Sequence, residues 1–398
     1  MTHWIWLSKR LGYASVKAKV LIDMFGSAKA VYELNVSKLN ELGFLTRNEI
    51  RQLSDKNLID SVEIVKYCAE NEIGIITFND KRFPRRLKEI SNPPMCLYYK
   101  GEFFDFDNIP CVSVVGQRKV SEYGKLAAWS LSARLTLGGM LVISGGAKGV
   151  DSAAHLGALD VGSKTVCFLA CGINFPYLKE NLILREEISK NGCIISEFSP
   201  EEKLNKGNFH IRNRLISGIS LGTVVVEAKD KSGALITAKN ACEQGRDVFV
   251  ITGKPNDPDY SGNNSLLRDG AKPVFDVTDI FGEYSSHFAD KINISNAKSV
   301  NLRELYKNKY QNSTKKTSDN ADKNREISEN IKFSKKNITE GLSKNAEIVY
   351  NFINMNIFTI DELSGCGLGF DVILASLTEL EILGFIKAIP GGRYSIID

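Results

Sequence analysis

The sequence predicts an α/β protein built on a doubly wound, mostly parallel sheet. A small helical unit precedes the sheet and a compact helix-and-hairpin module follows it. Three observations carry this. Between about 71 and 283, short β-branched runs alternate with helical stretches. Over residues 1–68 the apolar side chains recur at helical spacing. From 284 to 342 the chain turns Asn-, Ser- and Lys-rich and loses most apolar residues. A chain of 398 residues has room for two or three domains.

In the first unit, Trp4, Ile5, Leu7, Leu11, Val16, Val20, Leu21 and Met24 set the helical period, and Gly12, Gly26 and Gly43 end the segments. The pattern over 1–68 is that of a SAM-like or helix-hairpin-helix unit. A hairpin of that kind grips a phosphate with amides from a Gly-x-Gly turn. Here Ala14 stands at the second glycine, so a structural or protein-contact role is expected.

In the central region, strands are expected at Ile73–Phe78, Cys111–Val115, Met140–Ser144, Lys164–Ala170, Cys193–Ser196, Thr223–Glu227 and Asp247–Ile251. Helices are expected at 122–137, 151–161, 180–190 and 234–244. Continuous apolar strands alternating with helices imply a parallel sheet covered on both faces. This is a Rossmann-like domain over 71–283.

The stretch 284–342 holds 12 Lys or Arg and 7 Asp or Glu, which accounts for the chain's net charge of +4. It is expected to be a flexible, mildly basic linker. Residues 343–398 read as a winged helix. Ile348, Val349, Phe352 and Ile353 give one apolar helix face, Thr359 caps a second helix, and a third runs from Asp371 to Leu383. A hairpin over Ile386–Ile396 turns at Gly391-Gly392. Its third helix carries Glu379 and Glu381 but no Lys or Arg, so protein contact or weak DNA binding is expected.

Several function classes are disfavoured. No apolar run reaches the roughly 18 residues that span a bilayer, and the first ten residues lack the features of a signal peptide. The eight cysteines form no C-x-x-C pair, and Cys111, Cys167 and Cys193 lie in apolar runs. Reduced, buried thiols in a cytoplasmic protein are expected. Neither H-E-x-x-H nor G-x-S-x-G occurs, and the four histidines form no metal cluster. His155 is expected to be structural. No catalytic residue, metal or cofactor is expected.

Four segments point instead to anion binding at strand ends. Gly116–Gly124 follows a strand, opens a helix and carries Arg118 and Lys119. Ser144–Asp151 does the same with Ser144, Gly145, Gly146, Lys148 and Gly149. Glycines allow close backbone approach, and helix N-termini offer amides and a positive dipole end. Gly207–Gly218 places His210, Arg212, Asn213 and Arg214 at a helix entrance, one arginine of which would pair a carboxylate. Ser232-Gly233 opens another helix at a strand end. Glu227, ending a strand, would be a catalytic acid or, preferably, orient an arginine. The leading reading is single-stranded nucleic-acid binding. Two alternatives remain: a phosphoribohydrolase-like or nucleotide-binding enzyme using Glu227, and a structural scaffold.

Seven ordered blocks also resemble one family. They are Phe83-Pro84 with Arg86-Leu-Lys88, Pro93-Pro94 with Leu97-Tyr98 and Lys100-Gly101, Val115–Arg118, Ser144–His155, Asn208–Arg214, Ser232–Thr237 and Glu243–Phe249. In this order they resemble the DNA processing protein A family (DprA, or Smf). The resemblance implies a single-stranded DNA-binding recombination mediator with no enzymatic activity. Such a protein shields incoming strands in natural transformation and loads the RecA recombinase. It also implies a homodimer formed through the Rossmann-like domain, and a DNA-contacting pocket that includes Arg118 and Lys179. Departures from the family pattern stand at Gln117, Gly146, Leu178 and His210.

Overall fold

The computed structural model describes residues 1–178 and 181–311, and of the C-terminal part 342–353, 357–360, 363, 366–383, 385–389 and 393–396. Residues 1–303 form one compact unit and 304–398 a second.

Six helices begin the first unit: α1 (Thr2–Leu11), α2 (Val16–Phe25), α3 (Ala28–Glu33), α4 (Val36–Glu41), α5 (Arg47–Ser54) and α6 (Ile59–Glu70). Ser15, Ser27, Asn35 and Thr46 accept backbone N–H bonds at the starts of α2 to α5, which marks each boundary chemically. Their core gathers Trp6, Leu7, Leu21, Val31, Leu39 and Leu53, and extends to Met95 and Phe78 beside the sheet. The helices are therefore not a detached module. Ile5 packs with Cys96, Tyr98, Cys167 and Ile194, and the Ala14 N–H reaches the Glu197 carboxylate at 3.4 Å.

The sheet has nine strands: β1 (Gly74–Thr77), β2 (Cys96–Gly101), β3 (Cys111–Val115), β4 (Leu141–Ser144), β5 (Thr165–Phe168), β6 (Cys193–Ser196), β7 (Gly222–Val225), β8 (Asp247–Ile251) and β9 (Lys272–Val274). Their order is β1-β2-β6-β5-β4-β3-β7-β8-β9. From β6 to β9 every pairing is parallel; β2 and β1 are added antiparallel at one edge. Neither β2 nor β9 is apparent in the periodicity. Both are edge-region strands in stretches containing proline or short polar runs, where alternation is too brief to read.

Between the strands run α7 (Arg85–Lys88), α8 (Glu122–Leu137), α9 (Val150–Asp160), α10 (Leu182–Lys190), α11 (Lys206–Ile219), α12 (Gly233–Glu243), α13 (Ser261–Arg268) and α14 (Thr278–Tyr284). Alternate strand residues sort to opposite faces, as the pleat requires. Cys111, Val115, Ile143, Phe168 and Ile195 pack with Leu215, Ile216 and Ile219 of α11 and with Ala234, Ala238 and Ala241 of α12. Cys167 and Ile194 pack with Ile188 of α10. The chain runs outward from β3 to β6, then returns to β7 on the far side of β3. That reversal makes the β3/β7 junction the switch point, where a crevice opens beyond the strands' carboxyl ends.

Residues 285–302, expected within the linker, instead pack on the first unit through α15 (Ile294–Ala297) and the start of α16 (Leu302–Tyr306). Ala297 and Leu302 are buried, and the Arg134 guanidinium donates to the Ala297 carbonyl at 3.1 Å. Sparse apolar anchors suffice there because they meet an existing core. Residues 312–341 of the expected linker lie outside the described residues.

The second unit contains α17 (Lys344–Phe352), β10 (Ile357–Thr359), α18 (Phe370–Ile382) and the antiparallel pair β11 (Ile386–Ile389) and β12 (Arg393–Ile396). Thr359, expected to cap a helix, lies in β10, which pairs with β12. The hairpin turn at Gly391-Gly392 is outside the described residues. Val349, Tyr350, Ile373, Leu377 and Leu380 make the core.

Helices α8 and α9 cross closely because Gly157 faces the Trp129 carbonyl, where an added Cβ would lie 2.1 Å away. Gly157→Val is therefore expected to force the helices apart and lower the urea midpoint, at a cost of about 1–3 kcal/mol.

Candidate nucleic-acid interface

The crevice at the switch point is a cavity of about 510 Å3. The β3–α8 turn supplies Gly116, Gln117 and Arg118; the β4–α9 turn supplies Ala147 and Asp151. Helix α11 adds Lys206, Phe209, His210, Arg212 and Asn213. The β7–α12 loop adds Lys229, Lys231, Ser232 and Gly233.

Glu227 fixes the first turn. It is fully buried just beyond β7. Its carboxylate accepts from the Gln117 amide group, the Ser121 N–H at 2.8 Å, the Ser121 hydroxyl, and the Tyr260 hydroxyl at 3.1 Å. Its backbone carbonyl accepts from the Gln117 N–H at 2.8 Å. Ser121 also caps α8 through the Gly124 N–H. So Glu227 orients no arginine, contrary to expectation, and it does not line the cavity. Its acceptor sites are spent on holding the turn that presents Arg118.

The second turn packs against the first. Gly149 has φ +83°, and an added Cβ would lie 2.4 Å from the Gln117 carbonyl, so only glycine fits both the backbone and the space. Ser144 is buried and donates to the Val114 carbonyl at 2.7 Å. The Gly146 carbonyl accepts from the Asn181 side chain at 3.1 Å. Ser144, Gly145 and Gly146 thus shape the turn from beneath, and none of them lines the cavity. Lys119 and Lys148 are exposed outside its lining, and Lys179 lies outside the described residues.

Helix α11 begins at Lys206, so Arg212 and Arg214 sit well inside it, not at its entrance as expected. Arg212 reaches inward under the β4–α9 turn. Its Nη1 donates to the Gly145 and Phe168 carbonyls and its Nε to Asn213 Oδ1 at 3.1 Å. Burial pushes its pKa down, opposed by the nearby Asp151 carboxylate. Arg214 points the other way, pairing with the buried Glu197 that also receives the Ala14 N–H. It is a structural tie between the N-terminal helices and the sheet, and leaves the candidate site.

What faces the opening is cationic and aromatic. Arg118 is exposed and stacks its guanidinium on Phe209, 4.4 Å from the ring centroid. Tyr177 meets the same ring edge-on at 6.0 Å. His210, Lys206, Lys229 and Lys231 are exposed around it. Asn213 donates to the Gly233 carbonyl at 3.4 Å, and Ser232 caps α12 through the Ala234 N–H at 3.3 Å, so that helix start opens onto the cavity. Lys206, Phe209, Lys229, Lys231 and Asp151 were not singled out from the sequence. Phe209 lies inside a motif whose arginines drew attention, and the loop lysines look like ordinary solvated charges. Among the described residues no cluster suited to a metal ion occurs, and no helix is long and apolar enough to cross a membrane.

The sequence model of the DNA recombination-mediator protein A family matches residues 74–285. The chain belongs to this family. It is 35% identical over 244 residues to the DNA processing protein DprA of Bacillus subtilis, covering 60% of this chain and 82% of that protein. Identity to DprA of Streptococcus pneumoniae is 38% over 205 residues, covering 52% and 72% respectively. The X-ray structure of the S. pneumoniae protein superposes with a TM-score of 0.62 at 30% identity, over 71% of this chain and 98% of that one.

One buried group beneath the site gives a pH test. His155 Nδ1 lies 2.9 Å from the Thr165 hydroxyl, which itself donates to the Val142 carbonyl at 2.8 Å. Nδ1 therefore carries the proton, and Nε2 is buried without a partner. Burial pushes its pKa down to about 3, with Arg212 adding to the effect. The unfolded chain takes up this proton below its ordinary value near 6.5, whereas the folded chain does not. Folding stability should thus fall by about 1.6 kcal/mol between pH 6.5 and pH 5 from this group alone. Chemical denaturation at the two pH values should show a shallower fall in His155→Gln.

Proposed function

We propose that this chain binds single-stranded DNA at the β3/β7 crevice and acts in recombination mediation by passing such strands to a RecA-type recombinase. The observation that carries the reading is the stacked Arg118–Phe209 pair at the mouth of a crevice ringed by Lys206, Lys229 and Lys231. Exposed cations follow a phosphate backbone without regard to sequence, and an aromatic face stacks on any base. Unpaired bases can reach such a face; bases stacked within a duplex cannot. The family description, recombination mediator, supports the same reading.

Action on incoming strands during natural transformation, a cytoplasmic location and a homodimer formed through the sheet domain belong to this proposal and rest on the family resemblance. The enzyme reading loses its support because the carboxylate it required, Glu227, is saturated and outside the cavity.

Fluorescence anisotropy with a labelled single-stranded oligonucleotide tests the proposal. Binding should weaken with salt, and single strands should compete better than duplex. Arg118→Ala should lower affinity and flatten the slope of log K against log salt by about 0.7, the value of one phosphate contact on a single strand. Absence of binding at low salt would overturn the reading.

A further inference from the structure

The geometry points to Asp151 as a residue that reads the base of a nucleotide held in the cavity, favouring cytosine and other amine-bearing bases over thymine. This rests on single-stranded DNA occupying the crevice.

A carboxylate is the wrong group for a phosphate site, since it repels the ligand. Yet Asp151 lines the same cavity as Arg118, Lys206 and Lys231 while being only 7% exposed. Arg212 lies close enough to offset its charge, yet among the described residues no ion pair joins the two. Arg212 gives its Nη1 to two carbonyls and its Nε to Asn213, and Arg118 lies over Phe209. Asp151 Oδ2 receives the Ala147 N–H at a long 3.3 Å, and the Ser144 hydroxyl, which donates to the Val114 carbonyl, also lies within reach of the carboxylate. An ionised carboxylate has about four acceptor sites, so even with both taken, capacity is left for a donor from the cavity.

The cavity is zoned accordingly. Exposed lysines stand at the mouth, and Phe209, Val115, Ile216 and Ala234 make an apolar wall. Its volume is in the range that encloses one ligand of nucleotide size. Phosphates held by the mouth leave a base to enter against Phe209, and the group awaiting its edge is an acceptor. Carboxylates accept from the cytosine N4 amine; adenine and guanine also carry amines, whereas thymine presents a carbonyl and a methyl group in that place, and its one edge donor, N3–H, is flanked by two carbonyls that repel a carboxylate. Burial also pushes the Asp151 pKa up, against the pull of Arg212, so its charge is held at some cost, which an amine donor would relieve.

The experiment is a pair of anisotropy titrations at pH 8 and fixed salt, with oligo(dC) and oligo(dT) of equal length. The wild type should bind oligo(dC) about ten-fold more tightly, the discrimination expected of one such contact. Asp151→Asn should bring the two affinities together, because an amide can both donate and accept. A residue that merely supports the start of α9 would move both affinities equally. A probe that leaves the protein untouched is an oligonucleotide of N4,N4-dimethylcytosine, which should lose the advantage of oligo(dC). Equal wild-type affinities for the two strands, or an unchanged ratio in a folded Asp151→Asn protein, would overturn the inference while leaving DNA binding intact. No salt-dependent binding of either strand would instead remove the function on which it rests.

Discussion

A single buried carboxylate, that of Glu227, ties the turn after β3 to the end of β7 beside the crevice. It leaves β7 at the strand end, yet its acceptor sites are taken up by the turn after β3 and by Tyr260. Four donors converge on it, so an acceptor-only group is required; a glutamine would turn its own N–H groups toward one of them. Burying the charge is costly, and charge-assisted hydrogen bonds are the kind that offset it. Because Ser121 both binds Glu227 and caps α8, the direction of that helix and the exposure of Arg118 follow from this one group. Gly124 completes the fit, since a Cβ there would lie 2.2 Å from the Glu227 carboxylate.

The two arginines of the Arg-Asn-Arg segment show how one helix serves two ends. Residues two apart on a helix point about 200° away from each other. Arg212 accordingly runs under the β4–α9 turn, and Arg214 runs toward Glu197 and the N-terminal helices. Neither guanidinium projects into solvent. Removing Glu197 would strand a buried charge, which is why such pairs are destructive to break even when their net contribution is small. The site's exposed cations come from elsewhere: from a turn, from the first residue of α11, and from the loop before α12.

The parallel sheet was legible because its strands are buried on both faces and so read as unbroken β-branched runs, from Cys111–Val115 through Asp247–Ile251. Arg118 and the glycine turns were legible because a strand-turn-helix sequence fixes where they stand. Three things were not. The partition between Arg212 and Arg214 depends on what each face of α11 meets, which spacing alone does not disclose. Glu227 looks the same in sequence whether it is catalytic, paired or saturated. The helical period over 1–68 specifies helices without saying that Ile5 and Ala14 are fastened to the sheet.

The distribution of exposure then sets what the interface can do. Lysines at the mouth are exposed, Lys229 in an ion pair with Asp259 at 2.8 Å, so on the proposed reading each phosphate contact would contribute modestly and be screened by salt. Their effect accumulates along a strand and cannot tell one sequence from another. The interior is different: Asp151 and Arg212 are buried, where an interaction counts for more and a mismatched partner costs more. On the proposed reading, affinity would therefore reside at the rim and discrimination at the floor. The two are joined by Phe209, whose ring carries Arg118 and forms part of the apolar wall.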